Sequence, residues 1–206
     1  MNNKPEKTGD ETLIRAFIAA PISEQAREKM AGIRQACRGA GGTISWVDPA
    51  NIHLALLFLG AVFRRQAAPL AGVLDDVASA NFPMQLTVEG VGYFGSSRSP
   101  RVIWAGLKGE LDALAAMQAD IADGVKNAGV FADSKPFNPH VTIARVRNAR
   151  NPEALLSALE KYGNSLFGRM TVDRIMLVKS DLAAEGAIYT ILHESPLSPR
   201  VPDGAI

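Results

Sequence analysis

The pattern of apolar and polar positions predicts a chain in which short strands are interspersed with amphipathic helices. Several apolar runs of five to ten residues are bounded by Gly, Pro, Asn or Asp, which is typical of strands. Other segments repeat apolar residues three and four positions apart, which is typical of helices with one buried face. The predicted strands cover residues 13–20, 43–47, 52–59, 84–91, 101–107, a run that starts at His140, 170–178 and 187–193. The predicted helices start after Ser23 and at residues 67, 111 and 152.

The order of these elements predicts the fold class. Hairpin-like pairs of strands alternate with helices, which favours an α+β fold with antiparallel sheets over a doubly wound parallel sheet. Two of the strand runs open in the same way, with Asn-Ile-His at Asn51–His53 and Asn-Pro-His at Asn138–His140. An ancient duplication would explain this, and it predicts two lobes related by a pseudo-twofold axis, each with an antiparallel sheet flanked by helices.

Length and composition limit the domain organisation. With 206 residues, of which 47% are hydrophobic, the chain can bury the core of one domain. Residues 1–12 are polar and without periodicity, so we expect a disordered arm there. We expect a single bilobal domain over 13–195 and an irregular, Pro-rich tail over 196–206.

Charge and cysteine content narrow the environment. The formal net charge is +1, which gives no broad attraction to nucleic acid or membrane and disfavours binding of a long RNA. The single cysteine, Cys37, cannot form an intrachain disulfide and fits a reducing compartment. No apolar run approaches the roughly 20 residues of a membrane span. We therefore expect a cytoplasmic monomer with no membrane association and no obligate protein partner.

Three histidines occur in the chain, and two of them open the similar strand runs. Residues two apart in a strand share a face, so His140 and Thr142 point the same way, as do His53 and Ala55. Two facing imidazoles can exchange protons with an attacking water and a leaving group near neutral pH. No cluster of Cys or His has metal-ligand spacing and no cofactor motif is present, so we expect neither metal nor cofactor. His193, beside Glu194, is expected at the surface.

At these residues the sequence resembles the 2H phosphoesterase superfamily, and within it the RNA 2',3'-cyclic phosphodiesterases, also called 2'-5' RNA ligases. Members of this family carry two His-x-Thr/Ser motifs on opposed strands. The resemblance covers roughly Arg15 to Tyr189. Its pieces, in chain order, are Arg15-Ala16-Phe17-Ile18-Ala19, Trp46-Val47, Asn51-Ile52-His53, Phe58-Leu59-Gly60, Gly92-Tyr93-Phe94, Pro100 to Gly106, Pro136 to Arg145, and Leu177 to Ser180 with Tyr189.

The resemblance implies a bilobal α+β fold with a central cleft and hydrolysis of a 2',3'-cyclic phosphate to a 2'-phosphomonoester, with weak 2'-5' ligation as the reverse reaction. The substrates would be RNA ends or small cyclic nucleotides. It places His53 and His140 as the acid/base pair, with His140 activating water and His53 protonating the 3' leaving oxygen, and Thr142 on the phosphate.

The resemblance also points to three weaker candidates for substrate contact. Arg145 is the arginine of the His-x-Thr-x-x-Arg pattern, although strict alternation puts it on the face opposite His140. Either a bulge, a strong twist or a strand end intervenes, or Arg145 is structural. Arg15 and the ring of Phe17 are the other two, with core packing as the alternative role for Phe17.

The first motif departs from the family pattern, because Ala55 stands where the family has Thr or Ser. One phosphate-binding hydroxyl is therefore missing, and loss of such a donor can cost on the order of 10²–10³ in rate. A slower enzyme, an enzyme with a substitute donor, and a non-catalytic nucleotide or RNA-end binding module all stay open. An enzyme acting on another cyclic phosphate, such as an ADP-ribose derivative, is a further alternative.

Overall fold

The structure, a computed structural model, describes residues 11–132, 135–183 and 186–200. Within these ranges the chain forms nine strands and four α-helices. The strands are β1 (Leu13–Pro21), β2 (Gly42–Trp46), β3 (His53–Phe63), β4 (Met84–Ser96), β5 (Ser99–Gly109), β6 (Val141–Ala149), β7 (Leu166–Val172), β8 (Arg174–Ala183) and β9 (Gly186–Pro196). The helices are α1 (Glu24–Ala36), α2 (Ala67–Ala80), α3 (Leu111–Asn127) and α4 (Pro152–Glu160).

All nine strands belong to one antiparallel sheet, which confirms the predicted α+β class. The strands lie in the order β7-β4-β5-β6-β3-β1-β8-β9, and β2 pairs with β6. Outward from the contact between β6 and β3, the main path has four strands in each half in a symmetric arrangement, and β2 adds a fifth strand to the half that contains β6. The halves join at the pair Leu54–Val141, and both side chains are fully buried. We call this junction the seam.

Two helices cover each half of the sheet. Helices α1 and α4 pack on the half that contains β7 and β4, whereas α2 and α3 pack on the half that contains β3, β8 and β9. All four predicted helix starts are confirmed, and those of α1 and α4 have side-chain caps. The Ser23 side chain accepts from the amide of Ala26, and Asn151 accepts from the amide of Ala154 with Pro152 at the first helical position.

The prediction of one strand over residues 170–178 is wrong. Strand β7 ends at Val172 and β8 begins at Arg174, with Asp173 between them. Strand β7 pairs with β4 at one edge of the sheet, while β8 pairs with β1 in the other half. The charged pair Asp173-Arg174 interrupts the apolar run at the crossing, and it is the local signal at the point where the chain changes halves.

The segment from Gly95 to Pro100, predicted as a loop, is mostly strand. The hairpin of β4 and β5 extends to the pair Ser96–Ser99, and only the two residues between them form the turn. The hydroxyl of Ser96 accepts from the amide of Ser99 at 3.1 Å and closes this turn. The hairpin therefore projects beyond the core.

The two predicted terminal segments fall partly outside the described residues. Of the predicted arm, residues 1–10 lie outside them, and the carbonyl of Thr12 accepts from the amide of Arg64. In the predicted tail, Leu197 is buried and Ser198 donates to carbonyls at the end of α2, while residues 201–206 lie outside the described part. Cys37 is buried at the end of α1, where burial raises the pKa of its thiol to about 11.

Candidate active site

The two histidines of the similar strand runs lie together at the seam. His53 is the first residue of β3 and His140 directly precedes β6. Continuing the antiparallel register from the Leu54–Val141 pair places His53 opposite Thr142 and Ala55 opposite His140. Because Leu54 and Val141 are buried on the other face, these four side chains share the accessible face.

The two imidazole rings are held in the same way. Nδ1 of His53 donates to the backbone carbonyl of Asn51 at 2.7 Å, and Nδ1 of His140 donates to that of Asn138, also at 2.7 Å. A carbonyl only accepts hydrogen bonds, so each bond fixes the proton of the neutral ring on Nδ1. Each ring therefore has Nε2 available for proton transfer.

The ring of His53 is enclosed by two aromatic side chains. Phe17 of β1 stacks on it with centroids 4.7 Å apart, and Tyr189 of β9 meets it edge-on at 5.4 Å. Burial lowers the pKa of His53 below its ordinary value, the hydrogen bond to Asn51 opposes this, and the charge of Arg145 lowers it further. The neutral form of His53 is favoured in the free protein.

The contact between Tyr189 and His53 shows that the sheet is curled. Strand β9 is three strands away from β3, which in a flat sheet is about 14 Å at roughly 4.8 Å per strand. A curled sheet brings the rings together, and the side-chain amide of Asn51 donates to the carbonyl of Ala187 at 2.8 Å. The hairpin of β8 and β9 is thereby tied to the residues that lead into β3.

His140 lies in a more open environment. The ring of Phe94 meets it edge-on with centroids 4.9 Å apart. Both residues line a cavity of about 250 Å³ together with Trp104, Asn138 and Pro139. The indole N–H of Trp104 is buried and has no hydrogen-bond partner among the described residues. Water or a substrate group can reach His140 through this cavity.

A bulge in β6 puts Arg145 on the same face as His140. Thr142 pairs with Trp104 and Ala144 pairs with Ile103, so Ile143 is the extra residue. Ile143 and Ala144 are both buried, which breaks the alternation and turns Arg145 to the accessible face. Its charge lowers the pKa of His53 and acts in the same direction on Tyr189, whose pKa is raised overall by burial.

Strand β3 has the same bulge at the equivalent place. Ala55 pairs with Ala19 and Leu57 with Ile18, so Leu56 is the extra residue, three positions after its histidine. The residue that corresponds to Arg145 is then Phe58, which is 46% exposed. The site is therefore symmetric in backbone and asymmetric in charge.

The remaining predicted residues have different surroundings. Phe17 is buried in a small cluster with Ala19, Met176 and Val178, and its ring stacks on His53. It therefore packs in the core and also lines the site. Arg15 lies two residues before it on the same strand and is exposed, without a hydrogen bond or ion pair in the described part of the chain. Ala55 is half-buried and offers no donor.

Sequence reasoning missed several residues of the site. Asn51 and Asn138 orient the histidines through their carbonyls, and the shared Asn two residues before each His was the available signal. No local pattern marks Phe94 and Trp104 as neighbours of His140, because they come from other strands. Tyr189 entered only as part of a resemblance, and its place beside His53 depends on the curl of the sheet.

The third histidine lies outside the site. Nε2 of His193 is 2.7 Å from a carboxylate oxygen of Asp75 on α2, and the hydroxyl of Ser195 donates to the same oxygen. These contacts lower the pKa of Asp75 and connect β9 to α2. The described residues contain no group of three or more Cys, His, Asp or Glu placed to hold a metal ion, and none of their helices is both long and apolar enough to cross a membrane.

Comparisons with known proteins agree with this architecture. The RNA 2',3'-cyclic phosphodiesterase of Archaeoglobus fulgidus is 36% identical over 178 residues, which cover 85% of this chain and 96% of the relative. That of Aquifex aeolicus is 33% identical over 150 residues, covering 72% and 79%. The crystal structure of TT0787 of Thermus thermophilus superposes with a TM-score of 0.76 at 26% identity, over 91% of this chain and all of that one.

A further structural neighbour, E. coli LigT solved in complex with 3'-AMP, has the same fold, with a TM-score of 0.72 at 23% identity over 91% of this chain and 99% of that one. The family profile described as the 2'-5' RNA ligase superfamily matches residues 13–184. That match spans both histidine strands and the seam between them, and the chain therefore belongs to the 2'-5' RNA ligase superfamily of 2H phosphoesterases.

Proposed function

We propose that this protein is a phosphodiesterase that opens the 2',3'-cyclic phosphate of RNA ends, or of small cyclic nucleotides, to a 2'-phosphomonoester without a metal ion. The observation that carries the proposal is the pair of imidazoles at the seam, each with Nδ1 held by a carbonyl and Nε2 available. The relatives named RNA 2',3'-cyclic phosphodiesterase support the choice of substrate.

In the proposed reaction, Nε2 of His140 takes a proton from a water molecule that attacks phosphorus. The new P–O bond forms as the bond to the 3' oxygen breaks, and His53 gives its proton to that oxygen. The phosphate stays on the 2' oxygen. The open cavity beside His140 supports its role as the base, since the water must reach it.

Two further side chains stabilise charge on the phosphate in this proposal. The hydroxyl of Thr142, opposite His53, donates to a non-bridging oxygen, and the guanidinium of Arg145 lies on the same face. Preorganised donors of this kind act where charge develops in the transition state. The same groups would serve weak 2'-5' ligation, because proton transfers run in reverse need the same two imidazoles.

The test is hydrolysis of a short RNA that ends in a 2',3'-cyclic phosphate, with excess EDTA and identification of the product. We expect a 2'-phosphate, and we expect His140→Ala to lower kcat by at least about 10² because the base is removed. His193→Ala is the matched control, since His193 lies outside the site, and it should keep full activity. A 3'-phosphate product, or activity that survives His140→Ala, would contradict the mechanism.

One observation favours a second candidate function. Ala55 leaves the position opposite His140 without a hydroxyl, which suits a module that binds nucleotides or RNA ends without turnover. Such a module would bind a 2'-phosphorylated RNA end and leave the cyclic end intact. Binding without turnover across pH 5 to 9 would favour it, whereas turnover of a different cyclic phosphate alone would favour an enzyme with another substrate.

A further inference from the structure

We propose that the half of the sheet containing β6 also binds the single-stranded RNA that precedes the cyclic phosphate, along a lane of arginines that starts at the candidate site. This inference rests on the proposed function and extends it from the end group to the polynucleotide. We define the arginine lane by Arg145 and Arg147 on β6 and Arg150 directly beyond its end.

Although the net charge is near zero, basic and acidic residues are unevenly distributed along the sequence. Segments 30–47, 90–107 and 136–152 contain seven arginines and neither an acidic residue nor a lysine, which leaves 15 basic and 21 acidic residues elsewhere. These segments form β2, β5, β6 and the outer part of β4, which are hydrogen-bonded neighbours. A polyanion would therefore meet positive charge on this half, although the whole chain carries only +1.

The arginines of these segments are free to bind a ligand. None of the seven guanidinium groups forms a hydrogen bond or ion pair with another described residue. Arginines elsewhere differ, since Arg174 pairs with Asp173 and Glu194, and Arg200 with Glu110. Arginines without a partner among the described residues, in segments that contain no acidic residue, suit the recognition of successive phosphates.

The bulge in β6 aligns the lane with the candidate site. After the bulge at Ile143, Arg145 is exposed on the face that carries Thr142, while Ala144 and Val146 are buried on the other face. Arg147 is also exposed and is the extra residue of a second bulge, where β6 pairs with β2. Because a bulge adds a residue without a full step along the strand, Thr142 and Arg147 are about 12 Å apart at roughly 3.3 Å per paired residue. This distance is longer than a single nucleotide, and the arginines lie progressively farther from the histidines.

Neighbouring strands supply the other contacts that a single strand uses. Strand pairing places Phe94, Val102, Arg145 and Ser45 in one row across β4, β5, β6 and β2. The exposed ring of Phe94 and the hydroxyl of Ser45 thus flank Arg145. Aromatic rings for stacking beside cations for phosphates are the usual combination for single-stranded nucleic acid.

The lane ends at Arg150, beside a second cavity. The side chain of Arg150 lies against Gly41, where a Cβ would come within 3.5 Å of its Cδ. Gly41 lines a cavity of about 340 Å³ together with Arg34, Arg38 and Trp46. Trp46 pairs with Ala144 and packs against the core on the face opposite Arg145, so this cavity lies outside the lane.

The experiment compares kcat/KM for 2',3'-cyclic AMP and for a short RNA oligomer with a cyclic end, at about 50 and 200 mM salt. We expect Arg147→Gln to lower the value for the oligomer roughly three- to tenfold at low salt and to leave cyclic AMP unchanged. The salt slope for the oligomer should fall by about 0.7, the share of one phosphate contact on a single strand. Arg169→Gln on β7 is the charge-matched control. Arg169 is exposed, lies outside the lane and forms no side-chain hydrogen bond or ion pair with another described residue, so this variant should leave kcat/KM unchanged for both substrates.

If wild type and Arg147→Gln have equal kcat/KM for the oligomer, the proposal that the arginine lane binds RNA is contradicted. If the wild type hydrolyses neither substrate, the proposed function fails, and the lane is then tested by fluorescence anisotropy of a labelled oligomer that ends in a 2'-phosphate. A roughly threefold or greater loss of affinity in Arg147→Gln, absent in Arg169→Gln, supports the lane. Equal affinities for all three proteins overturn it.

Discussion

The ring of His53 is enclosed by Phe17 and Tyr189, and this enclosure sets which of its protonation states is favoured. Removing an imidazolium from water costs free energy, so the pKa of His53 is lowered. A group with a depressed pKa in the folded state adds stability above its unfolded value of about 6.5, and that stability is lost as pH falls through the folded pKa. His53 thus makes the protein less stable in acid.

The same shift predicts the pH dependence of activity. If His53 is the acid, it must carry a proton, and kcat/KM declines as pH rises through its lowered pKa, below about 6.5. Phe17→Leu removes the stacked ring and admits water, so we expect this limb to move to higher pH. The alkaline limb is measured from pH profiles of kcat/KM, and the pKa of His53 is measured by NMR titration of its ring, in the wild type and in Phe17→Leu.

Phe58→Leu is the matched control for that substitution. The centroid of the Phe58 ring lies 6.1 Å from that of Phe17. Phe58 is 46% exposed and makes no ring contact with His53 in the described part of the chain, so the pH–rate profile of Phe58→Leu should match that of the wild type. A shift of the acid limb in Phe17→Leu, in place of the alkaline limb, would show that His53 is the base and would reverse the roles of the two histidines.

Ala55 is the residue at which this chain departs from the family pattern. The register places it opposite His140, where a threonine hydroxyl could donate to the phosphate. We expect Ala55→Thr to raise kcat, by up to about 10² if no other donor has replaced the missing one. Ala55→Val has the same shape without the hydroxyl, so it should bring no gain, and equal rates for both variants would contradict a role for the hydroxyl.

At the scale of elements, the hairpin of β8 and β9 is coupled to the strand that carries His53. The coupling runs through Asn51, whose carbonyl holds the His53 ring and whose side-chain amide donates to Ala187. Among the described residues, the side chain of the corresponding Asn138 donates only to the carbonyl of Pro136 in its own turn, at 3.4 Å. Both asparagines therefore hold a histidine ring through the backbone carbonyl, but only the side chain of Asn51 contacts the hairpin among the described residues.

Asn51→Ala keeps the backbone carbonyl and removes only the tie to the hairpin. We expect a loss of about 1 kcal/mol in unfolding free energy, faster amide exchange around Tyr189, and a lower kcat as the contact between Tyr189 and His53 loosens. Asn138→Ala is the matched control and should leave exchange in the hairpin unchanged. An unchanged exchange rate in Asn51→Ala would show that the hairpin is held by other contacts.

The bulges show how far strand periodicity carries the prediction of a site. Alternation correctly put His140 and Thr142 on one face, since no bulge lies between them. Alternation also put Arg145 on the face opposite His140, whereas the extra residue Ile143 brings Arg145 to the same face as His140. A bulge is fixed by pairing with a neighbouring strand, so an apolar run such as Val141–Val146 does not reveal its position.

At the scale of the whole molecule, the net charge does not describe how charge is distributed. The total is +1 and disfavours binding of a long RNA, yet three segments that hold seven arginines and no acidic residue contribute neighbouring strands to one half of the sheet. These segments are separated by up to about half the chain in sequence, and only the sheet brings them together. The distribution of charge, rather than its sum, determines what the surface attracts.

The sequence by itself determined most of the strands, the starts of the four helices, the α+β class and the shared face of His140 and Thr142, because side-chain periodicity, caps and turn residues act over a few neighbouring positions. The tertiary structure alone decided the seam at Leu54–Val141, the crossing at Asp173, the two bulges and the packing of Tyr189 on His53. Each of these depends on which strands pair and how strongly the sheet curls. Such pairings join residues far apart in the chain, and local sequence carries no record of them.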